Sequence, residues 1–115
     1  MSKFIKQLQE IGINPSEYLK IAQNQAKLYK YNPHQIIFST DDKHKLIYID
    51  VENNNKKVYF GATGYNDFII YKLLDKFNGT KYADRKRFLY RRRAYELYEK
   101  SAPKSPAKFS MEILW

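Results

Sequence analysis

The 115-residue chain contains no cysteine. That absence excludes a disulfide scaffold, a zinc ribbon and a thiol nucleophile together. Long apolar runs are missing too: the longest hold four or five residues, against the roughly 20 that a membrane-spanning helix needs. The opening stretch MSKFIKQLQEIG lacks the apolar centre and small-residue cleavage site of a signal peptide. Glycine and proline are sparse at four each, so each one marks a break in the chain. Acids are scarce as well, 12 against 21 lysines and arginines. These deficits point to an intracellular, soluble, single domain spanning 1–115, and a chain of this size buries roughly two-thirds of the surface its unfolded form exposes.

The surplus of positive charge is the first thing present. The formal net charge is +9 and the sequence pI is near 9.6, which favours a nucleic-acid or acidic-surface partner. Its distribution is uneven. Residues 1–34 carry +3, residues 35–79 are neutral, residues 80–104 carry +6, and residues 105–115 balance Lys108 against Glu112. The later segment is therefore the electrostatic face.

Apolar spacing predicts a helix over about Lys3–Ile11, burying Phe4, Ile5, Leu8 and Ile11 and stopped by Gly12. Asn14-Pro15 with Glu17 reads as an N-cap and capping box, opening a helix to about Lys30 that buries Leu19, Ala22, Ala26 and Tyr29. Asn32-Pro33 repeats the device and ends the helical region. The period then changes. Ile36–Ser39 is a short strand candidate, and Lys45–Phe60 reads as a β-hairpin turning at Glu52–Asn55, where asparagine tolerates the left-handed conformation. Asp67–Leu74 is ambiguous; adjacent Ile69 and Ile70 favour a strand. Asn78-Gly79 breaks the chain before a helix over about Ala83–Lys100. Ser105-Pro106 caps a short apolar tail, read as helical from Phe109 and Ile113 one turn apart, with a period-two strand as the alternative. The fold class is α+β: N-terminal helices, a small antiparallel sheet built on a hairpin, a basic C-terminal helix and a short apolar tail.

The segment DRKRFLYRRRAYELYEK holds all five arginines: Arg85, Arg87, Arg91, Arg92 and Arg93. At about 100° per residue they do not form one stripe. Arg85 and Arg92 share a face with Leu89, Lys86 and Arg93 share one with Tyr90, and Arg87 and Arg91 flank Ala94 and Tyr98. Phe88 and Tyr95 form the clearest apolar line. A solvated surface helix is the ordinary reading, but too few acids accompany these bases, and like charges one turn apart cost a few tenths of a kcal/mol each. Arginine's planar fork binds phosphate bidentately, whereas lysine offers a point charge. The tyrosines could bond phosphates or stack on bases, although such tyrosines more often simply pack.

Other constellations are weaker. FGATGY (Phe60–Tyr65) lacks the lysine and hydroxyl residue of a P-loop and suits a turn. His34 and His44 fall in loops without a carboxylate at a telling spacing. Asp41-Asp42 reads as a solvated cluster. Asp67, Asp75 and Glu96 would have to meet in space to hold a nuclease metal. No cofactor is called for.

The ordered blocks INPSEYLKIAQ, HKLIYI, VYFGATGYNDFIIYKL, RKRFLYRRR and SPAKFSMEILW resemble a family of small basic proteins of nucleocytoplasmic large DNA viruses and their virophages. The resemblance spans nearly the whole chain. Its most specific parts are Phe60-Gly61-Ala62-x-Gly64-Tyr65-x-Asp67 and the closing Ile113-Leu114-Trp115. It implies a viral origin, DNA binding, and residence in the virion, viral factory or nucleus, and it supplies no catalytic motif. Relatives often carry a histidine or other polar residue near the end of the arginine block. Here the run is purely arginine, which implies a stronger electrostatic grip and leaves base-specific readout open.

Together these readings give a non-enzymatic DNA-binding protein with weak sequence specificity, contacting phosphates through Lys81, Arg85, Lys86, Arg87, Arg91, Arg92 and Arg93. Tyr90 and the hairpin lysines Lys56 and Lys57 would assist. Double-stranded DNA is the preferred partner and RNA the other, with no membrane role and homodimerisation left open. The alternatives are a small metal-dependent nuclease and a virion structural or packaging protein. A lone Trp115 plugs the core or enters a partner's groove.

Overall fold

In the computed structural model, which describes residues 2–115, polar caps set where the helices begin. The Ser2 hydroxyl accepts from the Ile5 N–H at 3.2 Å and starts α1 (Lys3–Glu10). Asn14 accepts from the Ser16 N–H at 2.8 Å and starts α2 (Pro15–Leu28); the reciprocal bond expected from the Glu17 side chain is not made. Strands β1 (Ile36–Phe38), β2 (His44–Asp50) and β3 (Lys56–Ala62) follow, forming one antiparallel sheet in the order β1-β2-β3. Three further helices complete the α+β fold: α3 (Phe68–Asn78), α4 (Ala83–Lys100) and α5 (Pro106–Phe109). The last continues as a π-helical turn over Ser110–Leu114, so the tail is helical rather than a strand.

The hairpin forms as its alternation requires. Leu46 lies opposite Phe60 and Tyr48 opposite Val58, and all four are buried. Asn54 and Asn55 take φ of +56° and +57°, the left-handed conformation that asparagine accepts at low cost. Around this sheet, Phe4 and Leu8 of α1 and Tyr18, Ala22 and Ala26 of α2 close one core with Phe109, Ile113 and Leu114. Tyr18 takes the buried position expected of its neighbour Leu19, which is half-buried. Ile11 and Tyr29, expected inside, are 45% and 38% exposed because both are C-cap residues, just past the last turn whose face is buried.

The segment Asp67–Leu74 is a helix, not the strand its paired isoleucines favoured. Asp67 caps it, accepting from the Ile70 N–H at 2.9 Å, and Gly79 closes it with φ +65°. Ile69, Ile70 and Leu73 are all buried. That spacing makes one broad helical stripe, wide enough for adjacent isoleucines when neighbours on both sides cover it. Tertiary burial outweighs the few tenths of a kcal/mol that a β-branched residue costs in a helix.

Lys45 and Asp67 form a buried ion pair, Nζ to Oδ2 at 2.8 Å, with each side chain only 2% exposed. Lys45 also donates to the Tyr65 carbonyl at 2.5 Å, and the Tyr18 hydroxyl donates to Asp67 Oδ2 at 2.6 Å. Burial, then the adjacent carboxylate, push the Tyr18 phenol well above its ordinary value, so it stays a donor. Four segments meet here: β2, α2, the start of α3 and the loop before it. Gly61 makes room beside them. It has φ +81°, and a Cβ there would lie 2.7 Å from Leu114 Cδ1 and 3.1 Å from Lys45 Cβ.

Removing one partner of such a pair strands the other charge. Lys45→Met is expected to cost about 3–5 kcal/mol in urea unfolding, whereas Lys45→Met with Asp67→Asn, which keeps the cap acceptor, recovers most of it. Equal losses in the single and double variants would contradict the pair's role.

Candidate nucleic-acid interface

The start of α4 is held by Asp75, which reaches out of the last turns of α3. Its carboxylate accepts from the Thr80 hydroxyl at 2.5 Å, the Tyr82 N–H at 3.1 Å and the Ala83 N–H at 2.7 Å. The Thr80 bond, followed by the two backbone bonds, lowers its pKa against the opposing effect of desolvation. A carboxylate at a helix N-terminus also meets the positive end of the backbone dipole.

The helix rests on the body through Ala83, Arg87, Tyr90, Arg91, Ala94 and Tyr98, which are buried or half-buried at intervals of three and four. Phe88 and Tyr95, the clearest apolar line in the sequence, point away and are 63% and 57% exposed. Amphipathic side chains do the docking instead. Arg87 lays its guanidinium 3.8 Å above the Phe68 ring and donates through Nε to the Trp115 main-chain oxygen at 2.5 Å. Tyr90 stacks on Trp115 at 4.1 Å with 6° between the rings. Tyr98 donates to Glu112 at 2.8 Å, and Tyr31 donates to the other oxygen of the same carboxylate at 2.6 Å. Burial, then the bond to Glu112, push Tyr98 up to about 12.

The residues expected to contact DNA therefore separate into four groups. Arg85, Lys86, Arg92 and Arg93 are exposed along α4, with exposed Lys81 just before it. Arg87 and Tyr90 face inward and serve the docking; burial first, then the neighbouring Arg91, lower Arg87 from its ordinary value. Arg91 is half-buried, and its Nε is enclosed without a hydrogen-bond partner. Lys56 and Lys57 are exposed but lie elsewhere, in a shallow groove shared with Pro103 and Lys104. Along α4, Glu96 and Glu99 come between the arginine block and that groove. The hairpin lysines thus belong to a second basic patch.

None of the ion pairs among the described residues includes an arginine. Beside the arginines, α4 forms one wall of a cleft of about 990 Å³. Lys86, Arg92 and Arg93 give this wall its charge. Aromatic rings supply much of the rest: Tyr65, Tyr71, Tyr90 and Trp115. The Lys45–Asp67 pair and Gly61 lie at its boundary on the sheet side. Lys86 Nζ sits 5.6 Å from the Tyr71 ring centroid.

The three carboxylates weighed for a nuclease metal are not gathered. Asp67 is held by Lys45 and Tyr18, Asp75 caps α4, and Glu96 pairs with Lys100 at 2.8 Å. No group of three or more His, Cys, Asp or Glu among the described residues could hold a metal ion. His44 does have a carboxylate partner, contrary to its sequence reading: Nδ1 lies 2.8 Å from Asp41 Oδ2. Desolvation opposes ionisation of Asp41, but bonds from His44 and Ser39 outweigh it and lower its pKa to about 2. In FGATGY, Phe60–Ala62 still belong to β3, and only Thr63 and Gly64, with a bend at Tyr65, form the turn expected of the block. Sequence reasoning missed Lys45, whose burial has no local signal, and Lys104, which pairs with Asp50 at 3.4 Å.

No protein-family model, curated protein or solved structure matches the chain. No helix among the described residues is long and apolar enough to cross a membrane.

The inward and outward arginines should separate in a stability measurement. Arg87→Ala is expected to lose about 1–3 kcal/mol, from its contact with the Phe68 face and an abandoned acceptor. Arg92→Ala is expected to stay within about 0.5 kcal/mol of the parent. Similar losses for both would contradict the assignment. Acid should loosen the start of α4 first. Because the Asp75 pKa is lowered in the folded state, its contribution is full above about pH 4 and disappears as pH falls through the lowered value. Amide exchange at Tyr82 and Ala83, corrected for intrinsic rates, should accelerate in that window and stay pH-independent in Asp75→Asn.

Proposed function

We propose that this protein binds nucleic acid, with duplex DNA as its principal partner, through phosphate contacts from the outward cations of α4. The observation that carries the reading is a set of exposed guanidiniums, Arg85, Arg92 and Arg93, that lack any carboxylate partner among the described residues. Their repulsion is relieved by a polyanion, whose bound counterions are released on contact. Lys81 and Lys86 extend the same surface. The exposed hairpin lysines Lys56 and Lys57 give a longer duplex a second point of attachment. Backbone contacts position a protein without reading sequence, so specificity is weak and binding occurs without cleavage. The resemblance to the viral family supports a setting in the virion or viral factory, or in the nucleus.

Phe88, Tyr95 and Leu97, exposed on the same helix, favour a second reading in which α4 meets an acidic protein during virion assembly. Polyglutamate separates the two: it should displace duplex from α4 poorly if phosphates are the target, and as well as DNA does if charge alone matters.

Titration of labelled duplex across salt concentrations tests the first reading. A dissociation constant of about 10⁻⁴ to 10⁻⁶ M is typical of such binding near physiological salt. With about five phosphate contacts, the log–log slope should be near −4 to −5. The triple variant Arg85→Ala, Arg92→Ala, Arg93→Ala should reduce that slope by about three. A slope unchanged in the triple variant would remove α4 as the binding surface.

A further inference from the structure

The cleft beside α4 differs in chemistry from the helix's outer surface. Cations lie along one wall, and the lining also includes one aromatic ring without a ring partner, Tyr65. The carboxylate that borders the cleft, Asp67, is already matched to Lys45. Tyr65 lines the cleft with 74% of its surface exposed. No ring lies against Tyr65, whereas Tyr71 and Tyr90 each pair with Trp115, at centroid distances of 6.4 Å and 4.1 Å. The volume, about 990 Å³, is at the upper end of the roughly 300–1,000 Å³ of small-molecule sites.

A duplex has no use for this arrangement, because its bases are stacked inside and present only their edges. An unpaired strand presents both a π-face for an aromatic ring and a phosphate for a cation, and sites for such strands combine these two elements. We infer that the cleft takes nucleotides of an unpaired strand, with a base stacked on Tyr65 and the flanking phosphates held by Lys86 and Arg93. This rests on the reading of α4 as a polyanion-binding surface and names a ligand class that the outer face cannot select. Arg92, which lines the cleft and is also exposed on α4, joins the two surfaces. A protein built this way grips a duplex on the outside of α4 and captures an open or overhanging end in the cleft.

Trp115 is the only tryptophan in the chain and lines the cleft, so its emission reports on occupancy. Three probes are titrated at one salt concentration: an eight-residue oligothymidylate, a blunt duplex, and inorganic polyphosphate, which has charge without bases. The oligothymidylate should change Trp115 emission at saturation, whereas polyphosphate bound to a similar extent should leave it nearly constant. Tyr65→Ala should weaken oligothymidylate binding by about 5- to 100-fold, the range of a lost base–aromatic stack, and duplex binding by less than twofold. Ala62→Leu, which narrows the cleft without altering charge, should have the same selectivity. If both variants bind oligothymidylate as the parent does, or lose it and duplex equally, the cleft assignment is overturned while α4 binding stands. If none of the three polyanions binds, both fall together.

Discussion

The fold uses its scarce carboxylates as scaffolding, and this allocation leaves the arginines without counter-ions. Of the 12 acids, Asp67 anchors Lys45 and Tyr18, Asp75 caps α4, Asp50 takes Lys104, and Glu112 collects two tyrosine hydroxyls. Asp41 holds His44 and Glu96 holds Lys100. Glu99 accepts from Tyr95 at 2.7 Å. Each of these bonds stabilises a junction or a helix turn. None of them neutralises a guanidinium, so the positive field of α4 reaches solvent with little local compensation.

The same helix also has to be attached to the body, and its composition dictates how. With Ala83 and Ala94 as the only small apolar contacts on its inward face, α4 docks through side chains that have an apolar stem and a polar tip. Arg87 combines a ring contact with a main-chain acceptor, and Tyr98 reaches the buried Glu112. Tyr90 meets Trp115 face to face. Docking by tips rather than by a continuous apolar stripe holds α4 without closing the groove beside it. The aromatic-lined cleft follows from that geometry, bounded on its other side by the buried pair that joins β2 to the start of α3.

Much of this was legible in the chain. The helix limits of α4, the hairpin and its asparagine turn, the proline-marked starts of α2 and α5, and the charge focus all follow from local rules. Strand and helix were exchanged at Asp67–Leu74 because adjacent isoleucines carry no period of their own, and only neighbours in space decide which face is buried. The arginine block could be located but not sorted. A helical wheel gives angles, and which angle faces inward depended on Phe68, Gln25 and Trp115, all distant in sequence. The surroundings of Lys56 and Lys57 were hidden for a similar reason: the hairpin's turn end lies beside Pro103 and Lys104, far along the chain. Lys45 gave no sign of burial because its partner lies 22 residues away.

Five arginines on one helix make a side-chain Nε–Hε spectrum simple enough to assign, and its response to duplex DNA reads the central claim residue by residue. The expected result is a shift at Arg85, Arg92 and Arg93 that reverses on adding salt, with Arg87 unmoved against Phe68 and Trp115. Shifts absent from all five, or largest at Arg87, would contradict the claim that uncompensated outward guanidiniums are what this molecule presents to a polyanion.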